Sequence, residues 1–285
     1  MTRDTRSTWQ RVLPLTVFAL GLGGCSSVLV DDCGAPHAPV NLYSVTGDGA
    51  VTLLWTPVDP HRTAEFVVYR SRHLDGPYDV VGFTDADVFV DVSVHNGRTY
   101  FYSVSSVSPC GEESVPSHEV AYDTPRPEGL SAVMLDANGS GWRRSGWDFS
   151  RARAVPWDAV EADVIFLVDG GVPVVVAADR YTDLQDAGYT GFDEVDWAPA
   201  EGWSPTGSAE AIPGHAYVVW TNENHFAKFR VSRAGTGGMI FDWAYQIAEG
   251  NPELAPGQRT TLRAESDNSL LSGLALNTPE QAVGR

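Results

Sequence analysis

Between Pro39 and Pro125 the chain alternates short runs rich in Val, Tyr, Phe and Thr with turns of Gly, Pro, Asp and Asn. No apolar period of 3.6 residues is sustained there, so the pattern predicts strands of an antiparallel sandwich rather than helices. The second half repeats the theme. Strands are expected at Ala162 to Asp169, Val172 to Ala178, His215 to Thr221, Phe226 to Ser232 and Met239 to Ile247. The run from His215 to Val231 reads as a hairpin whose polar loop is Asn222-Glu223-Asn224. The expected fold class is therefore all-β: one sandwich followed by a second β-rich domain.

Punctuation divides the chain further. Residues 1–24 carry Arg3, Arg6 and Arg11 and then an uncharged stretch, VLPLTVFALGLGG, the length of a signal-peptide core and too short to span a bilayer. Residues 25–37 form a tether, 38–125 the first sandwich and 126–129 a Pro-rich, semi-rigid linker. Residues 130–265 form the second domain, and 266–285 a tail expected to be poorly ordered. Leu22-Gly23-Gly24-Cys25 resembles the lipobox of bacterial lipoproteins. That resemblance implies diacylglycerol on the Cys25 thiol, Cys25 as mature N-terminus, and a cell-envelope location facing outward from the cytoplasm. Ser26, in place of Asp, implies the outer membrane. An ordinary secretory signal with an incidental Cys25 is the alternative.

At 285 residues and 43% hydrophobic content the chain can bury two cores. Its formal charge of −18 argues against nucleic acid as a partner and favours a soluble monomer that meets a protein, a small molecule or a glycan. Cleavage after Gly24 would make the chain more acidic still, because the leader carries three Arg and one Asp.

The segments Pro39-Val40-Asn41-Leu42, Val51-Thr52-Leu53-Leu54-Trp55-Thr56-Pro57 and Phe66-Val67-Val68-Tyr69-Arg70-Ser71 resemble fibronectin type III domains. Val94, Tyr100, Tyr102 and Val104 continue that family's spacing from Asn96-Gly97. The resemblance implies that Trp55 is a core tryptophan, that Tyr69 packs inward from the third strand, and that Tyr100 is a tyrosine corner. It also places the N-terminal entry and the loop Ser108 to Glu113 at one pole, implying a Cys33–Cys110 disulfide in an oxidising compartment. Two separate thiols remain the alternative.

Residues Trp147-Asp148-Phe149-Ser150, Gly214 to Val219, Ala227 to Val231 and Trp243 to Gln246 are similar to HmuY-type haem-binding lipoproteins. That family implies haem held between two histidines, for which the second domain offers only His215 and His225. In the expected hairpin these lie roughly 20 Å apart at about 3.3 Å per residue, too far to share one iron. Met239 or Tyr245 would be the substitute axial ligands.

Other chemistry is thin. The sequence has no CxxC, HExxH, GxSxG or Walker-type loop, so no enzyme is expected. Asp136, Asn138 and Ser140 begin like a calcium loop, but Trp147 stands where a bidentate Glu is required, and a plain turn is the alternative. Asp183, Asp186, Asp193, Glu194 and Asp196 read as a solvated loop, with a cation site or paired catalytic carboxylates as alternatives. Trp142, Trp147, Trp157, Trp197 and Trp203 would stack on sugars or a partner if exposed, and form core if buried. Together these readings give a non-enzymatic, surface-anchored binding lipoprotein. Haem capture and a carbohydrate-binding accessory module, or a hydrolase with an unfamiliar site, are the alternatives.

Overall fold

The computed structural model describes residues 33–255 and 261–263. Cys25 and the leader lie outside the described residues, as does the whole of the expected tail, 266–285.

The first sandwich is built from β1 (Val40–Gly47), β2 (Ala50–Thr56), β3 (Glu65–Ser71), β4 (Asp79–Thr84), β5 (Val88–Asp91), β6 (Tyr100–Val107) and β7 (Glu119–Asp123). One sheet has the order β1-β2-β5; the facing sheet is β7-β6-β3-β4, extended beyond β7 by β18 (Thr261–Arg263). Period-two alternation does the sorting: along β2, Val51, Leu53 and Trp55 point inward while their neighbours do not. Trp55 meets Phe66 edge-on at 5.3 Å, and Val68, Tyr102 and Val104 close the core. Tyr100 accepts the His95 N–H at 3.1 Å through its hydroxyl, the corner bond that the sequence implies.

Tyr69 departs from expectation. Phe66 and Val68 take the inward positions of β3, so Tyr69 must face outward, where its hydroxyl donates to Glu113. The disulfide joins Cys33 to Cys110 across a sequence separation of 77, with Cα atoms 5.6 Å apart. Asp59 holds the same entry segment, accepting the His37 N–H at 2.9 Å and facing the His37 Nδ1 at 2.5 Å.

The second sandwich stacks two five-stranded sheets. One runs β10 (Arg153–Val155), β9 (Gly146–Asp148), β11 (Val164–Asp169), β12 (Val172–Ala177), β14 (Ser208–Glu210). The other runs β13 (Asp183–Tyr189), β15 (His215–Trp220), β16 (Phe226–Gly235), β17 (Gly238–Gln246), β8 (Glu128–Met134). Between them Trp147, Phe149, Phe166, Tyr217, Phe229, Phe241 and Trp243 form an aromatic core, with Trp147 edge-on to Phe241 at 5.1 Å. Burial of such rings, about 25 cal/mol per Å² of apolar surface, holds the sheets together.

Residues 126–129, read from sequence as a linker, are not free chain. Glu128 and Gly129 already belong to β8, and Arg126 is only 1% exposed. The far boundary also differs from the expected 130–265, because residues 261–263 pair with β7 of the first sandwich.

Candidate functional site

The site begins with a ladder of rings inside the second sandwich. Phe229 and Tyr217 stack at 4.8 Å with planes 12° apart. Tyr217 lies 6.4 Å from His215, two positions along the same face of β15. His215 in turn meets Tyr189 edge-on at 6.4 Å, because Tyr189 is its cross-strand partner at the end of β13. β13 is an edge strand, so the ladder that starts in the core ends in water: Phe229 and Tyr217 are buried, His215 is partly buried, and Tyr189 is 80% exposed.

Local backbone geometry fixes the outer rungs. Gly214, at φ +91°, leaves room for the Tyr189 ring, which a Cβ there would strike. A register shift between Asp186 and Gly188 turns Asp186 toward His215, and the Asp186 carboxylate secures this bend by accepting the Gly188 N–H at 2.8 Å. Both Asp186 oxygens lie 3.0 Å from His215 Nδ1. Because a carboxylate only accepts, this pairing puts a proton on Nδ1. Further in, the Tyr217 hydroxyl donates to the Glu210 carbonyl at 2.6 Å and accepts the Ile212 N–H at 2.9 Å, so the ladder cannot slide. The ledge thus sets a flat exposed ring beside a carboxylate and an imidazole nitrogen, a surface on which an apolar ring face could lie while polar groups reach the pair.

The other residues singled out by sequence are dispersed. His225 lies past the opposite end of β15 from His215, with Nδ1 3.2 Å from the Gln246 carbonyl and its ring 5.4 Å from Tyr245. The two histidines are therefore not brought together. Met239 is wholly buried in the core, and Tyr245 stacks on Phe149 at 6.3 Å. Asp136 accepts the N–H groups of Asn138 and Val168, each at 3.0 Å, which makes the Asp136–Ser140 stretch a side-chain-fastened turn. Trp147, at the twelfth position of that stretch, is core. Among the described residues no three His, Cys, Asp or Glu side chains gather closely enough to hold a metal ion.

The acidic stretch divides. Asp183 and Asp186 stand on β13, whereas Asp193, Glu194 and Asp196 follow in a loop. There Glu194 accepts from the Gly191 N–H and the Thr190 hydroxyl, which holds its carboxyl below the usual range. The tryptophans form no row: Trp147 is buried, Trp203 lies 6.1 Å from Trp220 under partial cover, Arg143 covers Trp142, and Trp157 and Trp197 are exposed. Sequence reasoning missed Tyr189 and the pairing of Asp186 with His215. The signal available was the pair of glycines, Gly188 and Gly214, flanking them.

The first sandwich, with its two-sheet strand order and tyrosine corner, has a fibronectin type III-like fold. No family model matches the chain. It is 32% identical over 117 residues to an amylopullulanase of Thermoanaerobacter thermohydrosulfuricus, a match covering 39% of this chain and 8% of that protein. It is 33% identical over 94 residues to an amylopullulanase of Thermoanaerobacterium saccharolyticum, covering 33% and 7% respectively. The chain thus spans less than a tenth of these relatives' length, about 8% at most. Among solved structures, an Fn3-like protein from Clostridium thermocellum is 26% identical, covers 34% of this chain and 100% of its own, and has a TM-score of 0.28. Pectate lyase Pel3 from Pectobacterium carotovorum is 20% identical over 38% of this chain and 30% of its own, with a TM-score of 0.27.

Proposed function

We propose that this chain is a non-enzymatic accessory protein of the cell envelope that binds a neutral glycan on the Tyr189–His215–Asp186 ledge. In this reading the second sandwich binds and the fibronectin type III-like sandwich spaces it from a membrane to which lipid on Cys25 would tether it. The observation that carries the reading is the ring ladder ending in an exposed Tyr189 beside an imidazole nitrogen and a carboxylate. Similarity to segments of amylopullulanases supports a glycan over other ligands. The formal charge of −18 favours a neutral one over an acidic one. Two-histidine haem ligation is disfavoured, since His215 begins β15 and His225 lies in the turn past that strand's far end.

The test is affinity electrophoresis of the soluble chain, starting after Cys25, through gels containing amylose or pullulan, the glucans in the name of the matched proteins. Retardation of wild type that is lost in Tyr189→Ala and His215→Ala, but kept in Trp157→Ala, is the expected result. Retardation unaffected by either ledge variant would move the site elsewhere. Migration unaffected by either polymer would remove the α-glucan assignment.

A further inference from the structure

The connector between the sandwiches is lined by buried ionisable groups. Asp123 ends β7 with no exposure; its Oδ2 accepts the Thr46 hydroxyl at 3.2 Å, and the Ser44 hydroxyl beside it also favours its charged form. Glu253, 2% exposed, grips the next residue: its two oxygens accept the Thr124 N–H at 2.9 Å and the Thr124 hydroxyl at 3.2 Å. Two carboxyl groups thus flank one peptide unit where water cannot screen them.

The surrounding elements offer limited compensation. Arg126 donates through Nε to the Leu254 carbonyl and through Nη1 to Glu128 at 2.8 Å. From β1, Ser44 donates to the Tyr122 carbonyl at 2.9 Å, and from β6, Tyr102 donates its hydroxyl to Asp91. From β16, Lys228 spends its ammonium group on the Phe192 and Val195 carbonyls, at 2.7 and 3.0 Å, in a loop that also carries Asp193 and Asp196. His225 approaches the same corner only through the Gln246 carbonyl, while the Gln246 amide bonds the Glu253 carbonyl at 3.1 Å.

We propose that this junction is a proton-dependent latch: the Asp123–Glu253 pair keeps a proton while the sandwiches are locked together, and losing it in alkali frees the connector. The titration supports the geometry. Burial, then the Glu253 charge, lifts Asp123 well above its ordinary range, and burial lifts Glu253 to about 7 despite Thr124 and Arg126. A raised carboxyl favours the closed junction at low pH, and that preference fades as pH climbs through the folded value.

Hydrogen exchange of the soluble chain tests this, read on peptides covering residues 120–128 and 246–255 after correction for intrinsic rates. Residues 215–220 serve as reference. For one carboxyl moving from 4.5 to about 7 on closure, junction opening should grow about seventyfold from about pH 5 to about pH 9. Glu253→Gln should remove the share owed to Glu253, and the double variant Glu253→Gln/Asp123→Asn, which leaves no carboxyl on either side of Thr124, should flatten the response. Lys228→Met should leave it in place. A pH-independent junction, a response surviving the double variant, or one abolished by Lys228→Met would overturn the latch.

Discussion

Replacing both Cys33 and Cys110 by Ser removes a cross-link across 77 positions. On the chain-entropy model a closed loop of that length disfavours the unfolded chain by about 4.5 kcal/mol at about 25 °C. Not all of this should be lost. Cys33, Gly34 and Ala35 are exposed and would relax in the folded variant, each recovering about 1 kcal/mol of backbone entropy. Against that stands the Arg62 hydrogen bond to the Gly34 carbonyl, 3.3 Å, worth about 1 kcal/mol net. Pro36 is buried and Asp59 still holds His37, so fraying stops there. The balance is a loss of about 2.5 kcal/mol, measurable as a lower urea midpoint at unchanged slope. A loss under about 0.5 kcal/mol would mean that native-state fraying cancels the loop entropy, and one above about 4.5 kcal/mol that the bridge contributes packing the entropy argument omits. Either outcome would refute the reasoning.

Tyr100→Phe should cost about 1 kcal/mol in urea unfolding, because it strands the His95 N–H at the corner. Burial raises Asp163 to about 7 even though it accepts the Phe149 N–H, so the stability it confers is complete below about pH 4 and lost as pH passes about 7. Asp163→Asn, fixed in the neutral form, should therefore match wild type near about pH 4 and exceed it near about pH 8; the opposite ordering in paired urea melts would reject the burial argument. Gly214→Ala should weaken glycan retention as much as Tyr189→Ala does, about tenfold, while circular dichroism stays native, since the added Cβ displaces the ring without removing it.

The strands that sequence reveals are those with strong alternation and β-branched residues. Observed β12, β15, β16 and β17 start within one residue of the runs read from Val172, His215, Phe226 and Met239. The missed strands share other properties. β9, β10 and β14 have three residues each, too few for a period to show. β8 is disguised by the prolines before it and by Gly129, and Ser131 within it has φ +55°. β13 was hidden because Asp183, Gln185, Asp186 and Gly188 read as loop, although an edge strand tolerates polar outward positions. The site was half legible for the same reason. His215 stood out as a rare residue type, but Asp186 lies 29 positions away and meets it only through antiparallel pairing. The buried junction left no mark at all, since nothing in Asp123-Thr124-Pro125-Arg126-Pro127 distinguishes a surface linker from an interior strut.

The return of residues 261–263 to β7 makes the second sandwich an insertion with both ends at one seam. Fibronectin type III-like domains are readily pictured as beads that recombination can shuffle, each cut cleanly at its linker. This pair resists such editing. A break after Thr124 would strip Glu253 and Gln246 from the residue they bond, leaving Asp123 and Thr124 facing solvent without that cover. The two sandwiches would have to be inherited, transplanted and engineered as a single cassette whose natural boundaries lie outside both.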